Sequence, residues 1–121
     1  MVHKILVVED DQPILDLMDI LIRKLGYEPI LMANGTEALE RVKKESPSLI
    51  LLDIMMTPIS GWEFLEKLRR ELGMREIPVV LFTASPLIGE KMMQLKDPHL
   101  SVLTKPVTFA ELKTKLAHYL T

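Results

Sequence analysis

Chemistry in this sequence is carried by a few polar positions that lie far apart along the chain. Glu9-Asp10-Asp11 follows the apolar run Ile5-Leu6-Val7-Val8, and Asp53 follows Leu49-Ile50-Leu51-Leu52. Thr83 closes Ile77-Pro78-Val79-Val80-Leu81-Phe82, and Thr104-Lys105 closes Leu100-Ser101-Val102-Leu103. If these runs are parallel strands of one sheet, their polar ends share a rim, the place where ligands bind in open α/β sheets. Carboxylates crowded there repel one another unless a cation is present. Oxygen donors without His or Cys suit a hard ion, naturally Mg²⁺ or Mn²⁺. A lysine ammonium and a hydroxyl aimed at the same point add a positive charge and a hydrogen-bond donor. Such a set suits phosphoryl transfer, which depends on positioning and charge neutralisation. A carboxylate can itself be the nucleophile, giving an aspartyl phosphate. Singly these residues are ordinary: acids at a helix start, a strand-end hydroxyl, a turn lysine. Their joint placement at strand ends carries the reading.

The elements that must position them follow from patterning. Leu49–Leu52 is a continuous apolar run bounded by Ser46-Pro47-Ser48 and Thr57-Pro58, which reads as a strand buried on both faces. A short strand is also expected at Glu28-Pro29-Ile30-Leu31-Met32. Between strands, apolar residues recur at helical spacing. Pro13 opens a helix carrying Ile14, Leu15, Met18, Leu21, Ile22 and Leu25, and Gly26 stops it. Thr36 is expected to cap a second helix after an Asn34-Gly35 turn. Ser60-Gly61-Trp62-Glu63 and Thr108-Phe109-Ala110-Glu111 both fit the capping-box pattern. A weaker helix is expected over Leu87–Leu95, and a last one places Leu112, Leu116 and Leu120 on one face. Five strands alternating with five helices predict a doubly wound parallel sheet with helices on both faces.

The totals agree with one domain over residues 1–121. Hydrophobic residues make up 48% and charged residues 26%, an ordinary globular mixture. A net charge of −2 provides no electrostatic footprint for nucleic acid. The absence of cysteine excludes disulfides and thiolate metal sites, which fits a reducing compartment. No apolar run approaches a membrane span, and Met1-Val2-His3-Lys4 leads straight into strand sequence, so a cytoplasmic location is expected. The histidines at 3, 99 and 118 share no ligand spacing. Met55, Met56, Met92 and Met93 read as adaptable packing. Trp62 reads as half-buried beside its helix start, and the Lys43-Lys44 and Arg69-Arg70 pairs as solvated helix faces.

Taken together, the acidic run Val7-Val8-Glu9-Asp10-Asp11, the strand-end Asp53, Gly61 eight residues later, Thr83-Ala84 and Lys105-Pro106 give a pattern that resembles the receiver domain of bacterial two-component response regulators along the whole chain. The resemblance implies a flavodoxin-like strand order, 2-1-3-4-5, and a cis Lys105-Pro106 bond. It implies that Asp53 accepts a phosphoryl group from a histidine kinase or a histidine phosphotransfer protein. It also implies that Asp10, Asp53 and the Met55 backbone carbonyl ligate Mg²⁺, with Glu9 acting through water. Lys105 would hold a phosphoryl oxygen and Thr83 would turn toward it. The partner on the output side would be a protein effector or a covalently linked output domain, with a phosphorylation-dependent dimer as a further possibility.

The chain departs from that family at three places. Thr57 stands where the family has proline, Val102 where it has an aromatic ring, and Asp97-Pro98-His99 where it has a Gly-Ala turn. Val102 and Thr57 motivate a rival reading, an interaction module of the same fold that does not cycle. A Mg²⁺-dependent phosphohydrolase is a third reading, opposed by Met55 at the position where such enzymes carry a second acid.

Overall fold

A computed structural model describes residues 2–84 and 88–120. The apolar runs are strands: β1 Lys4–Val8, β2 Glu28–Met32, β3 Leu49–Asp53, β4 Val79–Thr83 and β5 Leu100–Thr104. They form one parallel sheet in the order β2-β1-β3-β4-β5, as expected. Helices α1 Gln12–Lys24, α2 Gly35–Glu45, α3 Gly61–Glu66, α4 Gly89–Leu95 and α5 Phe109–Tyr119 occupy the crossovers. Part of the fourth predicted helix, Leu87, lies outside the described residues.

Every residue of β3 and β4 is buried, which is why both read as unbroken apolar runs. Side chains alternate between the faces of the sheet. Ile5, Val7, Leu49, Leu51, Val80, Phe82 and Leu103 pack with Leu15, Met18 and Ile22 of α1 and with Leu112 and Leu116 of α5. Leu6, Val8, Ile50, Leu52, Val79 and Leu81 pack with α2 and α3 through Ala38, Val42, Phe64 and Leu65. Each leucine so buried contributes about 1.5–3 kcal/mol. The alternation has a chemical consequence. Glu9 continues the face of Ile5 and Val7, and Asp53 that of Leu49 and Leu51, so both acids cap the α1–α5 side of the core.

Helix ends differ in detail from expectation. Asn34, not Thr36, caps α2: its side chain accepts from the N–H groups of Thr36 and Glu37, and Gly35 begins the helix. Asparagine has a carbonyl oxygen that reaches both donors at once. Ser60 and Glu63 form the full capping box at α3. At α5 only half of it forms, because the Thr108 hydroxyl itself donates to the Glu111 carboxylate (2.9 Å) while accepting from the Glu111 N–H. Gly26 takes φ 90° and ends α1 as expected. The strand predicted from Ile77 begins at Val79. Met56 is buried in the core and Met92 packs half-buried against it, but Met55 and Met93 are exposed, against the packing expectation.

The largest departure is Arg69. After α3 the chain makes a π-helical turn, Lys67–Glu71, closed by Leu72 N–H donating to the Lys67 carbonyl (3.0 Å). Arg69 in this turn is not solvated. Its guanidinium donates to Asp97 (2.8 Å) and to the carbonyls of Met74, Ile77 and His99. Both side chains of the ion pair are only 12% exposed. Asp97 accepts in turn from the His99 N–H (2.9 Å), so the Asp97-Pro98-His99 segment is held by this network. The planar fork of arginine satisfies in one group what lysine could satisfy only in part.

Arg69→Ala leaves Asp97 and three carbonyls without their donor. It is expected to lower stability by about 3 kcal/mol, with Arg69→Lys recovering only a fraction, as read by chemical denaturation.

Candidate functional site

The site lies at the carboxyl ends of β1, β3, β4 and β5. The register pairs Val8 with Leu52, Asp53 with Phe82, and Thr83 with Thr104. The next residue along β1 is Glu9, so the sheet itself sets Glu9 beside Asp53. Asp10 and Asp11 then leave the strand toward α1, whose N-cap is Asp11. One carboxylate oxygen from each of Glu9, Asp10 and Asp53 lies within 4.8 Å of the others. Glu9 and Asp53 are buried, at 1% and 3% exposure, whereas Asp10 is exposed.

Lys105 reaches this cluster from β5. Its backbone N–H donates to the Thr83 carbonyl (2.8 Å), which anchors the residue at the end of β4. The ammonium then lies 3.1 Å from a Glu9 carboxylate oxygen and 3.4 Å from Asp53 Oδ1. Asp53 Oδ1 also accepts from the Met55 N–H (3.3 Å), and Glu9 Oε1 accepts from the Asp11 N–H (3.0 Å). Thr83 is buried at 2% exposure at the end of β4. The bonds preceding Pro58 and Pro106 are both cis.

Gly61, eight residues after Asp53, has a steric reason to be glycine. A Cβ there would run into the Asp53 carbonyl oxygen and lie 2.7 Å from Ile54 Cα, and both are backbone atoms that cannot step aside. Its N–H donates to the Ile54 carbonyl (2.9 Å), which ties the start of α3 to the chain leaving β3.

Burial pushes the Glu9 carboxyl up from 4.5 to about 7, and the neighbouring Asp53 charge adds to the rise. The Asp11 N–H and Lys105 oppose it without cancelling it. One ammonium thus faces three acids, and the cluster holds more negative charge than its own residues neutralise. The donors are oxygens from carboxylates, a set that fits a hard divalent cation.

Sequence reading brought together Glu9, Asp10, Asp53, Thr83 and Lys105, and the structure places all five at this rim. It missed Phe82, whose ring centroid lies 4.9 Å from the Lys105 ammonium. The signal was strand parity: Phe82 shares a face with Val80, as Asp53 does with Leu51.

Two outcomes follow. A carboxyl whose folded pKa is raised contributes stability below its unfolded pKa and loses it as pH rises through the folded value. With divalent ions chelated, the melting temperature should therefore fall between pH 4.5 and about 7, and added Mg²⁺ should flatten that fall. Gly61→Ala should displace the Asp53–Ile54 backbone and weaken Mg²⁺ binding measured by calorimetry at least tenfold, about 1.4 kcal/mol.

The profile of the response regulator receiver domain family matches residues 5–117. The phosphate regulon transcriptional regulatory protein PhoB of Escherichia coli (strain K12) is 33% identical over 116 residues, covering 96% of this chain and 51% of that protein. The chain thus spans about half the length of the curated relatives it matches. Chemotaxis protein CheY4 of Vibrio cholerae superimposes with a TM-score of 0.89 at 25% identity, covering 99% of this chain and 100% of that one. The receiver domain of sensor histidine kinase PA1611 from Pseudomonas aeruginosa PAO1 superimposes with a TM-score of 0.86 at 27% identity, covering 98% of each chain. That structure has a magnesium ion coordinated in its active-site cleft. Sheet order, acidic rim and profile agree, and the chain belongs to the response regulator receiver domain family of two-component signalling.

Proposed function

We propose that this receiver domain, acting as one unit over residues 1–121 in the cytoplasm, is a phosphorylation-controlled switch with Asp53 as its phosphoacceptor. The observation that carries this is the convergence of Asp10, Asp53 and Glu9 on one point with the Lys105 ammonium 3.1 Å from Glu9 and 3.4 Å from Asp53. The donor would be a phosphohistidine of a histidine kinase or histidine phosphotransfer protein. An Asp53 carboxylate oxygen attacks phosphorus, the P–N bond breaks, and its electron pair leaves with the imidazole, which takes up a proton. The product is an acyl phosphate on Asp53.

Asp10, Asp53 and the Met55 backbone carbonyl would hold Mg²⁺ (or Mn²⁺), with Glu9 reaching it through water. When bound, the ion supplies charge neutralisation for the oxygens of the transferred group. The residues of the chain do the rest. Asp53 is held in place by its strand and by the Met55 N–H. Lys105 moves from Glu9 and Asp53 toward a phosphoryl oxygen, and a charge-assisted hydrogen bond there stabilises the product. Thr83 offers its hydroxyl to another oxygen of the same group. The chain catalyses only its own phosphorylation and dephosphorylation and is not an enzyme acting on other substrates.

The output would be a protein contact, made to a separate effector or to a linked output domain, or a phosphorylation-dependent dimer. Val102 packs half-buried against the core. A β-branched side chain there has no ring to swing, so the signal passes through Thr83 and α4 rather than through β5. α4 is suited to move, since none of its described residues is buried.

Incubation with Mg²⁺ and acetyl phosphate should add one phosphoryl group to the wild-type chain by intact-mass spectrometry and none to Asp53→Asn. Mg²⁺-dependent labelling that survives in Asp53→Asn would overturn the acceptor assignment.

A further inference from the structure

We propose that Phe82 is a positioning residue for Lys105, holding the ammonium over the acidic rim with the face of its ring. The inference rests on the phosphoacceptor reading only for its kinetic consequence; the geometry stands without it.

Lys105 must cross a wide span. It follows β5, whereas Glu9 follows β1, and β4 and β3 lie between them. Neighbouring strands are about 4.8 Å apart, so the side chain has to lean across the end of β4 to reach Glu9. Its backbone is fixed there by the N–H bond to the Thr83 carbonyl (2.8 Å), one residue beyond Phe82. Phe82 is the last core residue of β4 on the α1–α5 face, packed with Leu51 and Leu103 and 1% exposed. Its register partner on β3 is Asp53 itself. The path from the anchor at Thr83 to the carboxylates therefore passes over this ring, and the ammonium lies 4.9 Å from its centroid.

An aliphatic residue at 82 would pack the core and support the methylene stem. It would offer the ammonium no attraction. The negative face of an aromatic ring does, and more strongly where water is scarce. The Lys105 side chain is 21% exposed and touches two buried acids, so the contact is partly desolvated. Glu9 and Asp53 pull the ammonium from one side and Phe82 from another, so Lys105 stays within reach of a group arriving on Asp53.

The test pairs substitutions at 82 with removal of the lysine. Phe82→Leu, and Phe82→pentafluorophenylalanine, whose ring keeps its shape but loses its negative face, are each expected to slow labelling by acetyl phosphate at saturating Mg²⁺ by about fivefold. In a Lys105→Ala background neither should change the remaining rate. Equal slowing in both backgrounds would mean that the ring acts only through packing and would overturn the proposal, as would full speed for both variants with Lys105 present. Proton NMR separates this from the function reading. The Lys105 ε-methylene signals should be shifted upfield by the ring current, and Phe82→Leu should abolish that shift. If the wild-type chain takes up no phosphoryl group, the phosphoacceptor reading falls. The upfield shift would then still uphold the Phe82–Lys105 placement, and its absence would overturn it.

Discussion

Two carboxylates, Glu9 and Asp53, are buried side by side at the ends of adjacent strands, and much of this structure exists to make that arrangement tolerable. An isolated buried carboxylate is costly, and a pair is worse because each raises the cost of ionising the other. The chain offsets the cost in three ways. Backbone N–H groups of Asp11 and Met55 donate to the two acids. Lys105 brings one positive charge from the end of β5, two strands from Asp53 and three from Glu9. Glu9 holds a proton more readily than an exposed glutamate does. None of these fully balances the cluster once Asp10 is included, and its oxygen donors suit a hard cation.

Bringing these groups together constrains the surroundings. The acids have to arrive on the same face of neighbouring strands, which a parallel sheet provides through register and strand parity. The chain leaving β3 has to turn closely under α3, which only glycine at 61 permits without pushing the Asp53 carbonyl aside. The lysine has to be aimed across β4, which the Thr83 carbonyl and the Phe82 ring achieve together. The acids and the lysine come from the ends of β1, β3 and β5, which are remote in sequence, so the site forms only when these strands assemble.

The opposite ends of the strands are closed by a second charged network. Arg69 gathers Met74 and Ile77, which lead into β4, and Asp97 and His99, which lead into β5. β4 and β5 are thus tied at their amino ends through Arg69 and at their carboxyl ends through the Lys105–Thr83 bond. Helix α4, which follows β4, has no buried residue among those described.

The number and order of the elements, the two-sided burial of β3 and the identity of the rim residues were legible in the amino-acid order, because they depend on local patterning and on polar groups that end apolar runs. Glu9, Asp10, Asp53, Thr83 and Lys105 announce themselves as breaks in hydrophobicity. Gly61 was legible by its spacing, but the reason for it was not, since the backbone it avoids belongs to a turn whose path patterning does not specify. The choice of Asn34 over Thr36 as a cap turned on a side-chain reach of two donors. The exposure of Met55 and Met93 turned on which way loops and short helices face. Arg69 and Phe82 were hidden for a deeper reason. In the sequence one is a charge on a helix and the other a core aromatic, and each acquires its role from partners that folding alone brings near. Local order determined which groups could act; tertiary structure decided which charges were neutralised and by whom, because burial and distance are properties of the assembled sheet.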